Sequence, residues 1–330
     1  MKALITGGAG FIGSHLAEYL LSQDHDVAVI DDLSTGRLEN VQHLQDNPRF
    51  HLAVYSITNE AVMDPLASEC DIIYHLAAAV GVELIVRSPV HTIETNIMGT
   101  AAVLRVARRY QRKVLLASTS EIYGKSTKLP FAEDDDRVLG PTTRSRWSYS
   151  TSKATDEFLA LAYHKEYGLP VVIVRLFNTI GPRQTGRYGM VVPRFVAQAL
   201  AGEPLTVYGD GTQTRCFADV RDVVRGIVAL TNHPEAEGQV FNLGSNREIS
   251  IADLARLVIA ITGSTSKIVY VPYEQAYEAG FEDMLRRVPD VSKVAGLIGW
   301  KAAIPLEDTI GAVADELRDD TRKRHAEPHK

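Results

Sequence analysis

The stretch Leu4-Ile5-Thr6-Gly7-Gly8-Ala9-Gly10-Phe11-Ile12-Gly13 decides the fold class of this chain. Its glycines lie between an apolar run, Lys2 to Thr6, and a helical pattern from Ser14 to Ser22. Glycine lets the backbone turn tightly and approach a pyrophosphate, whose charge then lies at the N-terminus of the following helix. The stretch therefore predicts a dinucleotide-binding loop made of Gly7, Gly10, Phe11, Ile12 and Gly13.

An acidic pair supports the same interpretation. Asp31 and Asp32 end the predicted second strand about 20 residues after the loop, where a carboxylate accepts hydrogen bonds from the adenosine ribose diol. A carboxylate at this place repels a 2′-phosphate, so the pair favours NAD over NADP as the cofactor. The alternative is a structural N-terminal hairpin with turn glycines, which would need neither the following helix nor the acidic pair.

The first half of the chain alternates short apolar runs with helical patterns, as βαβ units do. Because right-handed crossovers join such strands, we predict an α/β fold, a Rossmann-type doubly wound parallel sheet with a smaller C-terminal α/β substrate lobe. We expect an NAD-binding domain over residues 1–180 and a substrate-binding lobe over 181–317, with possible interleaving, followed by a charged, disordered tail at 318–330. The predicted strands are Lys2–Thr6, Val27–Ile30, Asp71–His75, Lys113–Ser118 and Val171–Leu176, and the long helices are Asn96–Tyr110 and Tyr149–Tyr167.

Composition excludes several classes of protein. The 330 residues carry a net charge of -6, which argues against a nucleic-acid-binding face. No run approaches the roughly 18 apolar residues of a membrane span. The two cysteines, Cys70 and Cys216, cannot form a disulfide framework and have no metal-type partners nearby. We therefore expect a cytoplasmic protein with no metal, no membrane anchor and no nucleic acid partner.

A tyrosine and a lysine lie four residues apart in Tyr149-Ser150-Thr151-Ser152-Lys153, on one face of a predicted helix. An adjacent cation favours phenolate and would lower the pKa of the tyrosine towards the range of a useful base. Alone, the spacing is equally compatible with an ordinary helix face. Two polar strand ends add weight, because strand ends of a doubly wound sheet open into the ligand crevice: Thr119-Ser120-Glu121 and Asn178.

With these motifs the chain resembles the extended short-chain dehydrogenases that act on nucleotide sugars, from the glycine loop to Pro289-Asp290. The resemblance implies that Tyr149 is the base on the sugar 4-hydroxyl, that Lys153 holds the nicotinamide ribose, and that Thr119 assists proton movement. It also implies a homodimer packed through Asn96–Tyr110 and Tyr149–Tyr167. The further cofactor-lining positions that it implies are Ile57, Leu76, Ala77, Ala78 and Asn96, beside Tyr149 and Lys153 themselves.

The same resemblance assigns the substrate to Asn178, Arg187, Arg215 and Arg287. One position departs from the family, since Ser56 stands where many members carry an aspartate that reads the adenine amine. Helix positions Ala154, Phe158, Leu161 and Ala162 suit either a dimer interface or the core, and periodicity does not choose between them.

The triplet Thr119-Ser120-Glu121 and the context Arg146-Trp147-Ser148-Tyr149 are similar to those of UDP-glucuronate decarboxylases. Dehydratases of this kind typically carry Asp-Glu after the threonine, which Ser120-Glu121 does not match. Arg287 matches an arginine near the sugar carboxylate, although a diphosphate recruits the same guanidinium. We expect a UDP-glucuronate decarboxylase that forms UDP-xylose. The alternative is a 4-epimerase of UDP-glucose or UDP-glucuronate, and a more distant one is a non-catalytic NAD sensor.

Overall fold

The structure is a computed structural model that describes residues 1–81, 88–186, 190–276 and 284–326. Its centre is a seven-stranded sheet with the strand order β3-β2-β1-β4-β5-β6-β11, in which every neighbouring pair is parallel. The strands of this sheet are β1 (Lys2–Thr6), β2 (Asp26–Asp31), β3 (Phe50–Val54), β4 (Ile72–His75), β5 (Lys113–Thr119), β6 (Val171–Leu176) and β11 (Gln239–Leu243). Three two-stranded pairs involve β7 (Thr179–Ile180), β8 (Leu205–Tyr208), β9 (Thr214–Cys216), β10 (Ala218–Asp219), β12 (Glu248–Ser250) and β13 (Ile268–Val271).

Helices flank the sheet and form much of the second lobe. They are α1 (Phe11–Ser22), α2 (Glu60–Glu69), α3 (Pro89–Tyr110), α4 (Ser148–Tyr167), α5 (Val191–Ala201), α6 (Val220–Asn232), α7 (Ile251–Thr262), α8 (Tyr273–Ala276), α9 (Ser292–Ile298) and α10 (Leu306–Ala326). The doubly wound parallel sheet predicted from the sequence is thereby confirmed. Helix α3 begins earlier than its predicted start at Asn96, because Pro89 suits the first helical turn, where its missing N–H costs nothing.

The chain does not divide between the two lobes at residue 180. After the second lobe begins, α6 and β11 return to the central sheet, and Val223, Ile227 and Phe241 pack in the same core cluster as Ile5. The second lobe has its own core, which includes Phe195, Val207, Leu254 and Ile310. The return follows from the apolar face of α6, which covers the sheet on the side of α1.

The prediction of a disordered tail is wrong for residues 318–326. Helix α10 continues to Ala326, and its last described side chains form ion pairs one turn apart, Arg318 with Asp315 and Arg322 with Asp319. Such i,i+3 pairs support the charged end of a helix whose earlier turns carry the apolar positions Ile310 and Val313. Residues 327–330 lie outside the described part of the chain.

The sequence left four positions of α4 undecided between a dimer interface and the core, and the structure shows that their burial differs. Ala154 is buried, Leu161 is half-buried against the core of the sheet, and Ala162 is half-buried as well. Phe158 is 68% exposed and belongs to no core cluster of the described residues. Only Phe158 is therefore left unexplained by packing within one subunit.

The strand order reverses between β1 and β4, where the connections leave in opposite directions. In such sheets a ligand crevice opens outside the carboxyl ends of the strands at this point. Thr6, His75 and Thr119 end β1, β4 and β5 at this edge. Among the described helices, none is long and apolar enough to cross a membrane.

Candidate active site

A cleft of about 900 Å³ opens at this edge of the sheet and continues along the second lobe. It brings together residues that are far apart in the sequence, from the glycine loop to Arg287. The predicted site residues that line it are Gly7, Gly10, Phe11, Ile12, Gly13, Asp31, Asp32, Ile57, Leu76, Ala77, Ala78, Thr119, Ser120, Glu121, Tyr149, Asn178, Arg215 and Arg287. Arg187 lies outside the described residues.

The glycine loop is packed so closely that side chains are excluded. Gly7 has a φ of +71°, in the left-handed region, and its N–H donates to Ile30 O at 2.9 Å. A Cβ at Gly13 would lie 2.3 Å from Gly7 O. The backbone at the start of α1 is therefore open to a close anionic partner.

The two carboxylates of the acidic pair, Asp31 and Asp32, have different environments. Asp31 is buried and accepts hydrogen bonds from Ala9 N and Leu33 N, both at 2.9 Å. Burial raises the pKa of Asp31, while these two backbone hydrogen bonds oppose the shift. Asp32 is exposed and accepts a hydrogen bond from Ser34 N at 3.0 Å. Asp31 therefore holds the glycine loop through its hydrogen bond from Ala9 N, and Asp32 carries the more accessible carboxylate.

Hydroxyl groups line the cleft around Ser56, the position where the sequence departs from the family. Ser56 Oγ lies 2.9 Å from Thr58 Oγ1, and both side chains line the cleft beside Ile57. Ile57 contacts α3 closely, since a Cβ at Gly99 would lie 2.6 Å from Ile57 Cδ1.

Asn96 lies behind the wall of the cleft rather than in it. Its Oδ1 accepts from Ala79 N at 2.8 Å, and its Nδ2 donates to Ser152 Oγ at 3.1 Å. The side chain is 1% exposed. Asn96 therefore holds the loop after β4 against α4, and this position could not be read from its place in the sequence.

Tyr149 and Thr119 meet at the centre of the cleft. Both side chains line the cleft, and Tyr149 is 7% exposed. Burial, followed by the negative charge of Glu121, raises the pKa of Tyr149 well above its ordinary value. The lowering of this pKa expected from Lys153 is not observed, because burial dominates. Lys153 Nζ donates to Asp156 Oδ2 at 2.8 Å.

Two arginines form ion pairs with a buried carboxylate beside Tyr149. Glu121 Oε2 lies 2.5 Å from Arg146 Nη2, and Glu121 Oε1 lies 2.6 Å from Arg287 Nη1. Burial would raise the pKa of Glu121, but the charges of Arg287 and Arg146 outweigh it and bring that pKa to about 2. The sugar end of the cleft thus contains two cations and one permanent anion, with Ser120 lining the wall beside them.

The two remaining substrate candidates lie further along the second lobe. Asn178 Nδ2 donates to Cys216 O at 2.9 Å, which ties the end of β6 to β9. Arg215 Nη1 donates to Thr214 O at 2.7 Å. Both residues line the cleft, and Arg215 is 9% exposed.

Sequence reasoning assigned no role to two residues of this site. Arg146 lies three positions before Tyr149, and Asp156 lies three positions after Lys153. A spacing of three puts each pair on one face of a helical turn, which was the available signal. The partner of Arg146, Glu121, comes from a different element and could not be identified from spacing alone.

Comparison with known proteins places the chain among nucleotide-sugar enzymes. A relative from Bacillus cytotoxicus, UDP-N-acetyl-alpha-D-glucosaminuronate decarboxylase, is 45% identical over 294 residues, 89% of this chain and 90% of that protein. UDP-glucuronic acid decarboxylase 1 of Xenopus tropicalis is 40% identical over 320 residues, 96% of this chain and 72% of that protein.

Solved structures agree on the fold. UDP-glucuronic acid 4-epimerase from Bacillus cereus, in complex with UDP-glucuronic acid and NAD, has a TM-score of 0.86 and 31% identity, covering 97% of this chain and 99% of that chain. dTDP-glucose 4,6-dehydratase from Bacillus anthracis, in complex with NAD, has a TM-score of 0.85 and 28% identity, covering 98% of each chain. The family described as GDP-mannose 4,6 dehydratase matches residues 4–313, and this chain belongs to that family.

Proposed function

We propose that this protein is an NAD-dependent UDP-hexuronate decarboxylase, with UDP-glucuronate as substrate and UDP-xylose as product. Oxidation at C4 removes the hydroxyl proton and a hydride from the sugar. The carboxylate carbon, C6, is then β to a ketone, so the C5–C6 bond breaks, carbon dioxide leaves, and the electron pair moves towards the C4 oxygen. C5 takes up a proton, C4 regains a hydride, and the C4 oxygen regains a proton. The relatives named as decarboxylases support this assignment.

The observation that carries the proposal is the place of Arg287. Its guanidinium pairs with Glu121, which is two residues from Thr119 and close enough to Tyr149 to raise the pKa of that phenol. A cation at this end of the cleft lies near the reacting carbons. A guanidinium binds a carboxylate in bidentate fashion and so selects a uronic acid. We assign the binding of the diphosphate to Arg215 in the second lobe, which also lines the cleft.

The glycine cradle fits NAD. A Cβ at Gly13 would collide with Gly7 O and Gly8 Cα, so glycine at this position lets α1 begin directly against the loop. Asp32 offers an accessible carboxylate for the adenosine ribose. When bound, NAD supplies a hydride acceptor at C4 and later returns the hydride. Gly7, Gly10 and the N-terminus of α1 would hold its pyrophosphate.

The side chains around the sugar then have separate tasks. Tyr149 accepts the proton of the 4-hydroxyl, and Thr119, which lines the same part of the cleft, assists the movement of that proton. Lys153 holds the nicotinamide ribose. Glu121 keeps Arg287 in place before substrate arrives, and Ser120 contributes a hydroxyl to the wall.

The test is a time course by NMR of the purified protein with NAD and UDP-glucuronate in heavy water. We expect loss of the C6 carboxylate signal, growth of pentose signals, and one deuterium at C5 of the product, because C5 is protonated from solvent. Formation of the galacto isomer with its carboxylate intact would instead establish a 4-epimerase. That alternative has an observation of its own, the fold shared with the Bacillus cereus 4-epimerase.

The group at C2 of the sugar is a second variable. The relative from Bacillus cytotoxicus is named for a substrate with an N-acetyl group. The same time course with UDP-N-acetylglucosaminuronate measures this preference. A higher kcat/KM for that sugar would keep the decarboxylation chemistry and change the substrate from UDP-glucuronate.

We further propose that the protein is a cytoplasmic homodimer. Helices α3 and α4 pack side by side and expose Val90 (66%), Met98 (57%) and Phe158 (68%). A second copy of the same helix pair would cover these side chains in a four-helix bundle. Both cysteines are buried free thiols, which suits a reducing compartment.

Light scattering after gel filtration tests the dimer. Phe158→Glu is expected to give a monomer, since it places a charge in the proposed bundle. Tyr270→Glu changes another exposed aromatic residue, 48% exposed on β13 of the second lobe, and is expected to leave the dimer intact. A dimeric Phe158→Glu variant would exclude this interface.

A further inference from the structure

A chain of buried hydrogen bonds starts at the base of the glycine loop. Ala77 N donates to Thr6 Oγ1 at 3.2 Å, and Thr6 Oγ1 lies 2.8 Å from His75 Nδ1. On the other side of the ring, His75 Nε2 lies 3.0 Å from Thr100 Oγ1. The chain therefore passes from β1 through the end of β4 to helix α3.

Beyond Thr100, on helix α4, lies the carboxylate of Asp156. Its Oδ2 accepts from Lys153 Nζ at 2.8 Å, and its buried Oδ1 has no hydrogen-bond partner among the described residues. Asp156 is 0% exposed and Lys153 is 2% exposed, so water does not screen this ion pair. Asp156 has no part in the roles proposed above.

His75 bridges a hydroxyl on each side of its ring, Thr6 Oγ1 at Nδ1 and Thr100 Oγ1 at Nε2. Burial, followed by the charge of Lys153, lowers the pKa of His75 to about 3, so the ring is neutral under physiological conditions.

We propose that Asp156 is a positioning residue of the active site: through its buried ion pair it holds the ammonium of Lys153 one helical turn from Tyr149. The inference rests on the proposed function, because it needs Tyr149 as the base. It adds a carboxylate that fixes the lysine before and during the reaction.

The charge of Asp156 also acts on Tyr149. Asp156 raises the pKa of that phenol, as does Glu121, while Arg146 lowers it. From the second lobe, Arg287 faces the same region through its pair with Glu121. The groups that face Asp156 are Lys153 and Glu157 on its own helix, Thr100 on α3, and beyond Thr100 the neutral His75.

Two variants separate the charge of Asp156 from its hydrogen bond. Asp156→Asn keeps an acceptor for Lys153 but removes the charge, and Asp156→Ala removes both. Each is compared with the wild-type holoenzyme in two measurements. The first is the single-turnover rise in absorbance of reduced nicotinamide on mixing with UDP-glucuronate, followed against pH. The second is the dissociation constant of NAD from the substrate-free protein, by calorimetry.

For Asp156→Asn we expect the ascending limb of the pH profile, which reports Tyr149 as a base, to move to lower pH by about one unit, with NAD affinity near that of the wild type. For Asp156→Ala we expect cofactor reduction to slow by about tenfold or more and NAD to bind several-fold more weakly. Recovery in the Asn variant is the mark of positioning, since a merely structural residue would lower the melting temperature without moving the pH limb.

An unshifted limb in a folded Asp156→Asn variant would overturn the proposal, as would an Asp156→Ala variant within twofold of the wild type in both measurements. If the alanine variant does not fold, the asparagine variant alone decides. If none of the UDP-hexuronates causes the wild type to reduce its cofactor, the proposed function is wrong, independently of Asp156. The NAD affinities of the two variants then decide the role of Asp156.

Discussion

The two ends of the cleft are built by different means. At the cofactor end, a short continuous segment supplies a close-packed backbone, in which Gly7 and Gly13 leave no room for a Cβ. At the sugar end, Glu121, Arg146 and Arg287 come from three separate segments and are held by charge. The cofactor end therefore depends on shape within ten neighbouring residues, whereas the sugar end exists only once the lobes have packed.

Tyr149→Phe acts where the two ends meet and has the largest expected effect. Removing the phenol takes away the proposed base, so turnover falls by about three orders of magnitude while NAD binding persists. Product formation by NMR and NAD affinity by calorimetry measure the two quantities. Substantial residual turnover would exclude Tyr149 as the base.

Gly13→Ala tests the claim that shape governs the cofactor end. A Cβ at this position would lie 2.3 Å from Gly7 O, so the loop has to open and NAD affinity should fall by about two orders of magnitude. The matched control is Gly311→Ala in α10, where a Cβ meets nothing within 4 Å. There we expect unchanged NAD binding and a stability gain of about 0.5–1 kcal/mol. Equal NAD affinity in the two variants would contradict the contrast.

Arg287→Ala tests charge at the sugar end. We expect kcat/KM for UDP-glucuronate to fall by about one to two orders of magnitude, while NAD affinity stays unchanged. Its neighbour Arg286 is an exposed arginine paired with Glu248, so Arg286→Ala makes the same change of charge away from the sugar and should cost little. If both variants lost activity equally, general electrostatics rather than a carboxylate site would explain the effect.

The acid side of the stability profile gives the smallest and most specific signal. The pKa of Glu121 lies at about 2 rather than at its ordinary 4.5, so its stabilising effect is full above about pH 4.5 and is lost as the pH falls towards 2. Glu121→Gln should therefore lower the free energy of unfolding by about 3 kcal/mol near neutral pH and by much less in acid.

Urea unfolding at a series of pH values measures this difference. Glu248→Gln is the matched control, because Glu248 also pairs with an arginine but that partner, Arg286, is 56% exposed. A change below about 1 kcal/mol is expected for it. A Glu121→Gln loss that is the same at every pH would mean that packing, not ionisation, produces it.

The sequence by itself determined the sheet, the glycine loop and the spacing of Tyr149 and Lys153. These depend on contacts between residues that are near in the chain, whose periodicity and turn preferences are visible in the letters. Strands β1 and β6 have the bounds predicted for them, for the same reason.

The three-dimensional packing was needed to show that Asn96 lies behind the cleft, that Arg146 and Arg287 share Glu121, and that Lys153 pairs with Asp156. It was also needed to show that α6 and β11 return to the sheet and that α10 extends to Ala326. Each of these outcomes depends on which distant segments meet and exclude water. Burial and the charge of a distant partner then determine which contacts form, and neither can be predicted from the residues that are near in the chain.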